Sequence, residues 1–436
     1  MSFELKKYKL AEIADVQTGP FGSQLHKDDY VPHGTPIITV EHLGENFIIH
    51  ENTPKVSNDD ALRLSKYSLC EGDIVFSRVG SVDRRAYVSK KEHGWLFSGR
   101  CLRVRVNKKD KIDPKYLSYY FGLESFREYV RSIAVGATMP SLNTKIMSSL
   151  EIQAPELNVQ VAISKLLSSL DNKIELNNAI NKNLEEMAQA LFKRWFVDFE
   201  FPNENGEPYK SSGGEFEESE LGLIPKGWKL DCLDEIADYL NGLAMQKYRP
   251  DGEQFIPVIK IRELNQGRTS SESDKASPNI DKKYIVNNGD VLFSWSGTLD
   301  IKLWCGGTGG LNQHLFKVTS KNYDKWFYYY WTKYHIDRFR RIASDKATTM
   351  GHIKRSDLKE AKVLIPEPNI YKKATDVFKP IVDKVIQLSV ESLLLERVRD
   401  TLLPKLMSGE IRVPVEQDHN DPDLPKVAES SAIYQP

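Results

Sequence analysis

The sequence predicts an α+β fold with two globular domains, each followed by a long α-helix, in which the two helices pair as an antiparallel coiled coil with pseudo-two-fold symmetry. The first observation behind this fold class is a duplication, because LAEIADVQTG at residues 10–19 returns as LDEIADYLNG at residues 233–242. The second is that each half mixes short β-rich runs with turn residues. The third is that each half ends in a long run with heptad-like apolar spacing. A duplicated chain of this kind is expected to touch its target at two points.

Length and composition exclude several classes of protein. The 436 residues are too many for one ordinary domain, and 40% hydrophobic with 28% charged residues is typical of a globular protein. A net charge of −1 provides no overall attraction to nucleic acid or to an anionic membrane, so a nucleic-acid site would need locally clustered charge. The four cysteines lack metal-ligand spacing and predict reduced thiols in a cytoplasmic protein. Neither a signal peptide nor a membrane-spanning segment is predicted.

The first domain is predicted over residues 1–155 and the first long helix over residues 156–200. The domain contains the strand-like runs TPIITV, DIVFSR, CLRVRV and LEIQ, and the Asp-Pro pair at residues 113–114 predicts a helix start. In the long helix, apolar residues alternate at spacings of four and three. The predicted seam residues are Ile163, Leu166, Leu170, Ile180, Leu184, Met187 and Leu191. Lys173 and Asn177 interrupt this seam, where polar residues fix the register, although Lys173 could instead lie at the helix edge.

The remaining segments are a linker, a second domain, a second helix and a tail. A linker is predicted over residues 201–229 because FPNENGEPYKSSGG is rich in polar and turn residues. The second domain follows at residues 230–366 and the second long helix at residues 367–410, with seam residues Leu388, Leu395 and Leu402. We expect Pro380 to kink this helix, because proline removes a backbone donor. The tail, residues 411–436, is expected to be disordered.

Two arrangements of the long helices are compatible with the sequence. Each helix could pack on its own globular domain, or the two helices could pair with each other. At about 1.5 Å per residue, a helix from residue 157 to residue 196 would be about 60 Å long. Antiparallel pairing would place the two domains at opposite ends of a rod that spans nearly two turns of duplex DNA, since one turn is about 34–36 Å.

Candidate nucleic-acid contacts lie mainly in loops that follow predicted strands. In the first domain they are arginines, which can bind guanine bidentately in the major groove. In the second domain Trp295 replaces Arg78, and Gln313 and His314 correspond to Arg100 and Cys101; glutamine can read adenine. Basic residues near position 340 suit phosphates better. The candidates, each of which could instead be a solvated side chain, are Arg78, Arg84, Arg85, Arg100, Trp295, Lys302, Gln313, His314, Arg341 and Lys346.

The sequence contains no recognisable catalytic motif. There is no GxxxxGK[ST] phosphate loop, no GxSxG or HExxH, and no Asn/Asp-Pro-Pro-Tyr/Phe motif of amino-methyltransferases. We therefore predict no catalytic residue, no metal site and no cofactor in this chain. One weak alternative is a nuclease of the PD…D/ExK type, formed by Pro250, Asp251, Asp300 and Lys302. Such triplets arise often by chance in a chain with 28% charged residues.

Several segments resemble the specificity (S) subunit of type I restriction-modification enzymes. In the long helices they are IELN at residues 174–177, NLEEMAQALFK at 183–193, WFVDF at 195–199 and RDTLLPKLMSGE at 399–410. In the domains they are GDIVFSR at residues 72–78 and GDVLFS at 289–294. The resemblance covers residues 10–410 and is most specific in the helices, whereas the domains match in framework only.

The resemblance implies a non-catalytic subunit that recognises double-stranded DNA. Each globular domain would be a target recognition domain that reads one half of a bipartite site, and the paired helices would set the spacer and dock methyltransferase subunits in two copies. Those partners would bring S-adenosylmethionine for DNA methylation, and motor–nuclease (restriction) subunits would bring ATP and Mg²⁺. An alternative of a different class is a coiled-coil scaffold or adaptor whose domains bind proteins.

Overall fold

The structure, a computed structural model, describes residues 4–20, 24–136, 138–345 and 351–414. The chain divides into two compact units. The first unit runs to Leu170 and resumes at Val398, and the second unit is Asp171–Arg397. The two long helices are continuous across these boundaries, so each of them contributes residues to both units.

The first unit consists mainly of short strands and short helices. Its strands are β1 (Lys6–Lys9), β2 (Ala14–Thr18), β3 (Tyr30–Val31), β4 (Thr35–Ile38), β5 (Lys55–Val56), β6 (Ile74–Ser77), β7 (Arg85–Tyr87), β8 (Leu96–Phe97), β9 (Cys101–Val106) and β10 (Glu151–Ala154). Its helices are α1 (Leu10–Ile13), α2 (Asn58–Arg63), α3 (Pro114–Tyr120), α4 (Glu124–Ile133), α5 (Thr144–Ser148) and the start of α6 (Leu157–Phe196). As predicted, the Asp-Pro pair begins a helix, and Asp113 Oδ2 accepts the backbone N–H of Tyr116 at 2.7 Å.

The strands of the first unit form two four-stranded sheets and a separate pair. One sheet is antiparallel in the order β2-β9-β6-β7. The other has the order β3-β5-β4-β8, in which β4 and β8 are parallel. Strands β1 and β10 pair antiparallel, so the start and the end of the domain are hydrogen-bonded neighbours.

The second unit repeats this plan with different loop lengths. Its strands are β11 (Phe216–Ser219), β12 (Gly222–Pro225), β13 (Lys229–Cys232), β14 (Asp238–Asn241), β15 (Ile256–Ile259), β16 (Lys275–Ala276), β17 (Ile285–Val286), β18 (Val291–Ser294), β19 (Asp300–Leu303), β20 (Gly309–Leu311), β21 (Leu315–Thr319) and β22 (Lys362–Ile365). Its helices, besides the end of α6, are α7 (Leu233–Ile236), α8 (Ile261–Gln266), α9 (Lys325–Tyr334), α10 (Ile336–Asp345), α11 (Arg355–Lys359) and α12 (Pro368–Ser408).

The duplication seen in the sequence is also present in the strand topology. The antiparallel sheet β14-β21-β18-β19 repeats the order and directions of β2-β9-β6-β7. The parallel pair β15 and β20 repeats β4 and β8, and the antiparallel pair β13 and β22 repeats β1 and β10. The predicted α+β fold with two globular domains and long helices is therefore confirmed, while the pseudo-two-fold symmetry stays a prediction.

The segment predicted as a linker is instead a folded part of the second unit. Strands β11 and β12 form a hairpin within it. Phe201 is 2% exposed and Trp228 is 4% exposed, and the Phe201 ring stacks on Tyr209 at 4.5 Å and on Trp228 at 5.0 Å. The aromatic side chains are widely spaced in a mainly polar segment, so its composition did not reveal them. Their burial orders the segment. Of the predicted disordered tail, residues 415–436 lie outside the described part of the chain.

The two long helices pack antiparallel in the second unit. Phe192 of α6 lies beside Phe378 of α12, with ring centroids 6.2 Å apart. Asn181 Nδ2 donates to Ser389 Oγ at 2.9 Å. Residues near the end of α6 thus contact residues near the start of α12, and earlier residues of α6 contact later residues of α12. Helix α12 continues through Pro380, where we expected a kink.

Burial along α6 follows some residues of the predicted seam and the next residue along the chain at others. Leu166 and Met187 are 38% and 64% exposed, whereas their neighbours Leu167 and Ala188 are fully buried. After Ile163, the next buried leucine is therefore four residues later, at Leu167, and not three residues later, at Leu166. Ile163 and Leu388 are buried, and the half-buried members of the predicted seams are Leu170, Ile180, Leu184, Leu191, Leu395 and Leu402.

The two polar residues of the predicted seam have different environments. Asn177 is fully buried, and its Nδ2 donates to Glu391 Oε2 at 3.1 Å. Lys173 lies at the helix edge, with its side chain 45% exposed and its Nζ 3.6 Å from Glu391 Oε1. Asn177 is therefore the polar residue placed to fix the helix register.

The helix ends also belong to the domain cores, so both sequence-based arrangements are partly correct. The core of the first unit contains side chains from the start of α6 and the end of α12, namely Ile163, Leu167, Leu403, Leu406 and Met407. The core of the second unit contains side chains from the end of α6 and the start of α12, namely Ala188, Phe192, Phe196, Ala374, Phe378 and Val382. Each domain is thus closed by segments from two distant parts of the chain.

Replacing His335 by glutamine should flatten the acid side of the stability profile. Burial lowers the pKa of His335 from 6.5 to about 4, against the opposing effect of its bond to the Lys362 carbonyl oxygen, which is 2.8 Å from Nε2. Because the folded pKa is depressed, this residue contributes about 3 kcal/mol that is present above the unfolded pKa and is lost as the pH falls from about 6.5 to about 4. Urea unfolding followed by tryptophan fluorescence at a series of pH values measures this slope.

The glutamine amide can keep the bond to the Lys362 carbonyl, so the variant should fold. His33→Gln, at an exposed position, is the matched control and should retain the wild-type slope. Equal slopes for His335→Gln and the wild type would contradict the assignment.

Candidate nucleic-acid interface

Three loops of the first unit meet at one end of the sheet β2-β9-β6-β7. We call residues 78–80, 98–100 and 139–141 the first loop cluster. Ser77 and Cys101 are paired at the end of β6 and the start of β9, so Arg78 and Arg100 lie side by side just beyond the sheet. Backbone bonds fasten the loops together: Arg78 N–H donates to the Arg100 carbonyl at 2.7 Å, and Gly80 N–H donates to the Pro140 carbonyl at 2.9 Å.

The two arginines of the first loop cluster differ in their surroundings. Arg78 is half-buried, and its Nη1 donates to the Gly99 carbonyl at 3.2 Å, which braces the loop that carries Arg100. Arg100 is exposed, and its guanidinium has no hydrogen bond or ion pair with any residue that the structure describes. The structure therefore brings both predicted residues together and leaves the donors of Arg100 available.

The neighbouring arginines of the first unit do not share this exposure. Arg84 donates to the Leu43 carbonyl. Arg85 is a correction to the candidate set, because it is 3% exposed, forms an ion pair with Glu45 at 2.8 Å and donates to the Ser118 carbonyl at 2.9 Å. Although burial acts to raise the pKa of Glu45, Arg85 and further guanidinium groups hold it below its usual value. Arg85 is therefore buried and paired within the first unit, and its guanidinium is not exposed for contact with a ligand.

The second unit has an equivalent cluster at the same end of its sheet. We call residues 295–297, 312–314 and 351–352 the second loop cluster. Gly297 N–H donates to the Gly351 carbonyl at 2.9 Å, which repeats the bond between Gly80 and Pro140. Ser294 and Leu315 are paired at the sheet end, so His314, not Gln313, corresponds to Arg100. The sequence comparison was one residue off here because the loops differ in length.

The side chains of the second loop cluster form a connected network. His314 Nδ1 is 3.1 Å from Ser296 Oγ, and its Nε2 is 3.3 Å from Gln313 Nε2. The Trp295 ring lies 5.8 Å from the His314 ring, and Trp295 Nε1 donates to Asn241 Oδ1 at 3.0 Å. Where the first unit places guanidinium groups, the second places aromatic and amide groups.

Sequence reasoning missed three members of this network. Asn241 lies in the repeated segment at residues 233–242 and Ser296 in the repeated turn, so the duplication pointed to both positions. His352 follows the repeated Thr-Met pair of residues 138–139 and 349–350, and it reaches the cluster through a bridge to Ser296 and a ring contact of 6.3 Å with Trp295.

The basic residues of the second unit lie beside its loop cluster. Arg340 Nε donates to the Leu299 carbonyl at 3.1 Å, which ties α10 to the turn after β18. The next residue, Arg341, is exposed and has no ion pair among the described residues. Lys302 is partly neutralised, with Nζ 3.7 Å from Asp300 Oδ2. Lys346 lies outside the described part of the chain.

Other kinds of site lack support in the described ranges. No group of three or more His, Cys, Asp or Glu side chains there is arranged to hold a metal ion. Among the helices of residues 4–20, 24–136, 138–345 and 351–414, none has the length and apolar character needed to cross a membrane.

Comparisons with known proteins agree on one family. The family model described as type I restriction modification DNA specificity domain matches residues 4–186 and 225–393. The chain is 29% identical over 320 residues to the type I restriction enzyme MjaIX specificity subunit of Methanocaldococcus jannaschii, covering 70% of this chain and 71% of that protein. It is 24% identical over 416 residues to the type I restriction enzyme HindI specificity subunit of Haemophilus influenzae, covering 80% and 88%.

A solved structure shows the same fold. The crystal structure of the S subunit of a type I restriction-modification system from M. genitalium matches with a TM-score of 0.57 at 15% sequence identity, covering 93% of this chain and 96% of that chain.

Proposed function

The chain belongs to the type I restriction modification DNA specificity family, and from this premise we propose that it is the non-catalytic DNA-recognition subunit of a type I restriction-modification complex. Each globular domain reads one half of a bipartite DNA sequence. Family membership does not favour the scaffold or the nuclease alternative.

The repeated loop cluster is the observation that carries this proposal. The same three loops meet at the same end of the same four-stranded sheet in both units, held by equivalent backbone bonds. The side chains that these loops present are different, with Arg78 and Arg100 in one unit and Trp295, Gln313 and His314 in the other. A constant framework with different loop chemistry suits two readers of two different short sequences.

In this proposal the long helices set the spacer and dock the partners. Methyltransferase subunits, in two copies, bind the helices and supply S-adenosylmethionine, and restriction subunits supply ATP and Mg²⁺. This chain binds none of these cofactors itself. The buried Asn177 supports the spacer role, because a polar residue inside a helix pair fixes its register and thereby its length.

The complex of this chain with its methyltransferase subunits should bind DNA with a steep salt dependence. Lysine and arginine contacts to phosphates release counterions, so the logarithm of affinity falls with the logarithm of salt concentration by about 0.9 per contact. Arg341→Ala should lower the magnitude of this slope by about one while weakening all DNA sequences alike. Fluorescence-anisotropy titrations at several salt concentrations measure both effects.

Arg338→Ala is the matched control, because Arg338 lies on the same helix but is occupied by Glu360 and by its carbonyl. Absence of DNA binding at every salt concentration would reject the proposed function. An unchanged slope for Arg341→Ala would reject only the phosphate contact.

A further inference from the structure

Building on the proposed function, we infer that Arg100 recognises a guanine in one half of the DNA site and that Gln313 recognises an adenine in the other, with Arg78 and the pair Ser296–His314 acting as positioning residues. The two halves of the chain thus read bases by different chemical groups on one framework.

The first reader rests on the free donors of Arg100. A guanidinium offers five N–H donors in a rigid plane, and two of them match O6 and N7 of guanine in the major groove. Arg100 is exposed at the tip of the turn between β8 and β9, and none of its donors is used by the described residues. Arg78 uses an Nη1 donor to bind the carbonyl of Gly99, the residue before Arg100, and so positions the loop that carries Arg100.

The second reader rests on the hydrogen-bond capacity of Gln313. In the contact between the Gln313 amide and the His314 ring, Gln313 Nε2 is the donor and His314 Nε2 is the acceptor. The other ring nitrogen, His314 Nδ1, therefore carries the proton and donates to Ser296 Oγ. One N–H of the amide is used in this way. The other N–H and the Oε1 acceptor remain, and these are the two groups that pair with N7 and N6 of adenine.

His314 is therefore a positioning residue although it stands where Arg100 stands in the first unit. Both of its ring nitrogens are engaged within the loop cluster, and its ring lies against Trp295. Trp295 in turn is held by Asn241. A ring fixed on both edges orients the Gln313 amide and lowers the entropy lost when it binds a base.

Base analogues in the recognised DNA test the two readers directly. The complex with methyltransferase subunits would be titrated with its own methylated sequence carrying 7-deazaguanine or 7-deazaadenine at single positions, since both analogues lack the N7 acceptor. One 7-deazaguanine in the first half-site should weaken wild-type binding about 5- to 150-fold, and Arg100→Ala should weaken binding to normal DNA by a similar factor and abolish the effect of the analogue. Gln313→Ala should do the same for one 7-deazaadenine in the second half-site.

The matched controls remove an exposed cation and an exposed amide elsewhere in the two units. Lys109→Ala removes an exposed cation beyond the far end of β9, and Gln266→Ala removes an exposed amide at the end of α8; both should keep the wild-type response. Ser296→Ala should relax the base preference at the same position as Gln313→Ala with an unchanged unfolding midpoint, and Ser296→Thr should restore the preference, which a purely structural role would not produce.

Several results would overturn the inference while leaving the proposed function intact. They are a bipartite methylated sequence whose first half lacks guanine or whose second half lacks adenine, wild-type binding that ignores every analogue, or an Arg100→Ala effect in the second half-site. Failure of the complex to bind any bipartite DNA would instead remove the proposed function.

Discussion

A chimera in which residues 5–155 come from another specificity subunit is expected to change one half of the methylated DNA sequence and leave the other half as it was. The bonds that hold the first loop cluster join residues 78–142, all of them inside the exchanged segment. The ends of the exchanged segment lie just outside strands β1 and β10, which pair with each other. The exchange therefore keeps this strand pair intact at the two ends of the domain. Methylome sequencing of cells that express the chimera with the methyltransferase subunits measures the outcome.

The reciprocal exchange of residues 229–365 provides the matched experiment. It is bounded by the equivalent pair of β13 and β22 and should change only the other half. The spacer between the halves should be unchanged in both chimeras, because the helices remain those of this chain. A change in both half-sites from one exchange would contradict independent reading by the two domains.

Phe378→Ala is expected to lower the free energy of unfolding by about 3–5 kcal/mol, the usual cost of removing a buried aromatic side chain. Phe378 is fully buried, and its ring stacks on Trp326 at 4.9 Å and meets Trp195 edge-on at 5.9 Å. No small shift can fill the space, since rings from both long helices and from α9 surround it. Urea unfolding followed by tryptophan fluorescence measures the loss.

Phe255→Ala is the control within the same unit. Phe255 is 47% exposed, and Lys275 Nζ lies 4.1 Å from the centroid of its ring, so its removal should cost less than about 1 kcal/mol. A cost for Phe378→Ala that is no larger than the cost for Phe255→Ala would contradict the assignment of Phe378 to the centre of the core.

Features encoded by periodicity and repetition were predictable from the sequence. The duplication located both domains, the Asp-Pro pair located the start of α3, and the heptad-like spacing located both long helices. The same spacing left the helix phase uncertain by one residue, because Leu166 and Leu167 are both leucine and only the packed partner selects Leu167.

The candidate site was predictable in position but not in detail. Both loop clusters follow strands of the repeated segments, which is why Arg78, Arg100, Trp295 and His314 were found. The sequence could not show that Arg85 is buried and paired, because its partner Glu45 is 40 positions away in the chain. The register of Gln313 and His314 likewise depends on strand pairing, which the sequence does not display.

The core of the first unit is assembled from segments that the ribosome synthesises at very different times. Leu403, Leu406 and Met407 complete this core, yet they are synthesised after the entire second domain. Domains normally fold as units during synthesis, with the N-terminal one first, but here the core of the first unit includes three side chains of α12, which is synthesised much later. A prematurely terminated product would leave the apolar side chains of Ile163 and Leu167 uncovered and would be a substrate for chaperones and proteases. The core of the first unit is therefore complete only once α12 has been synthesised.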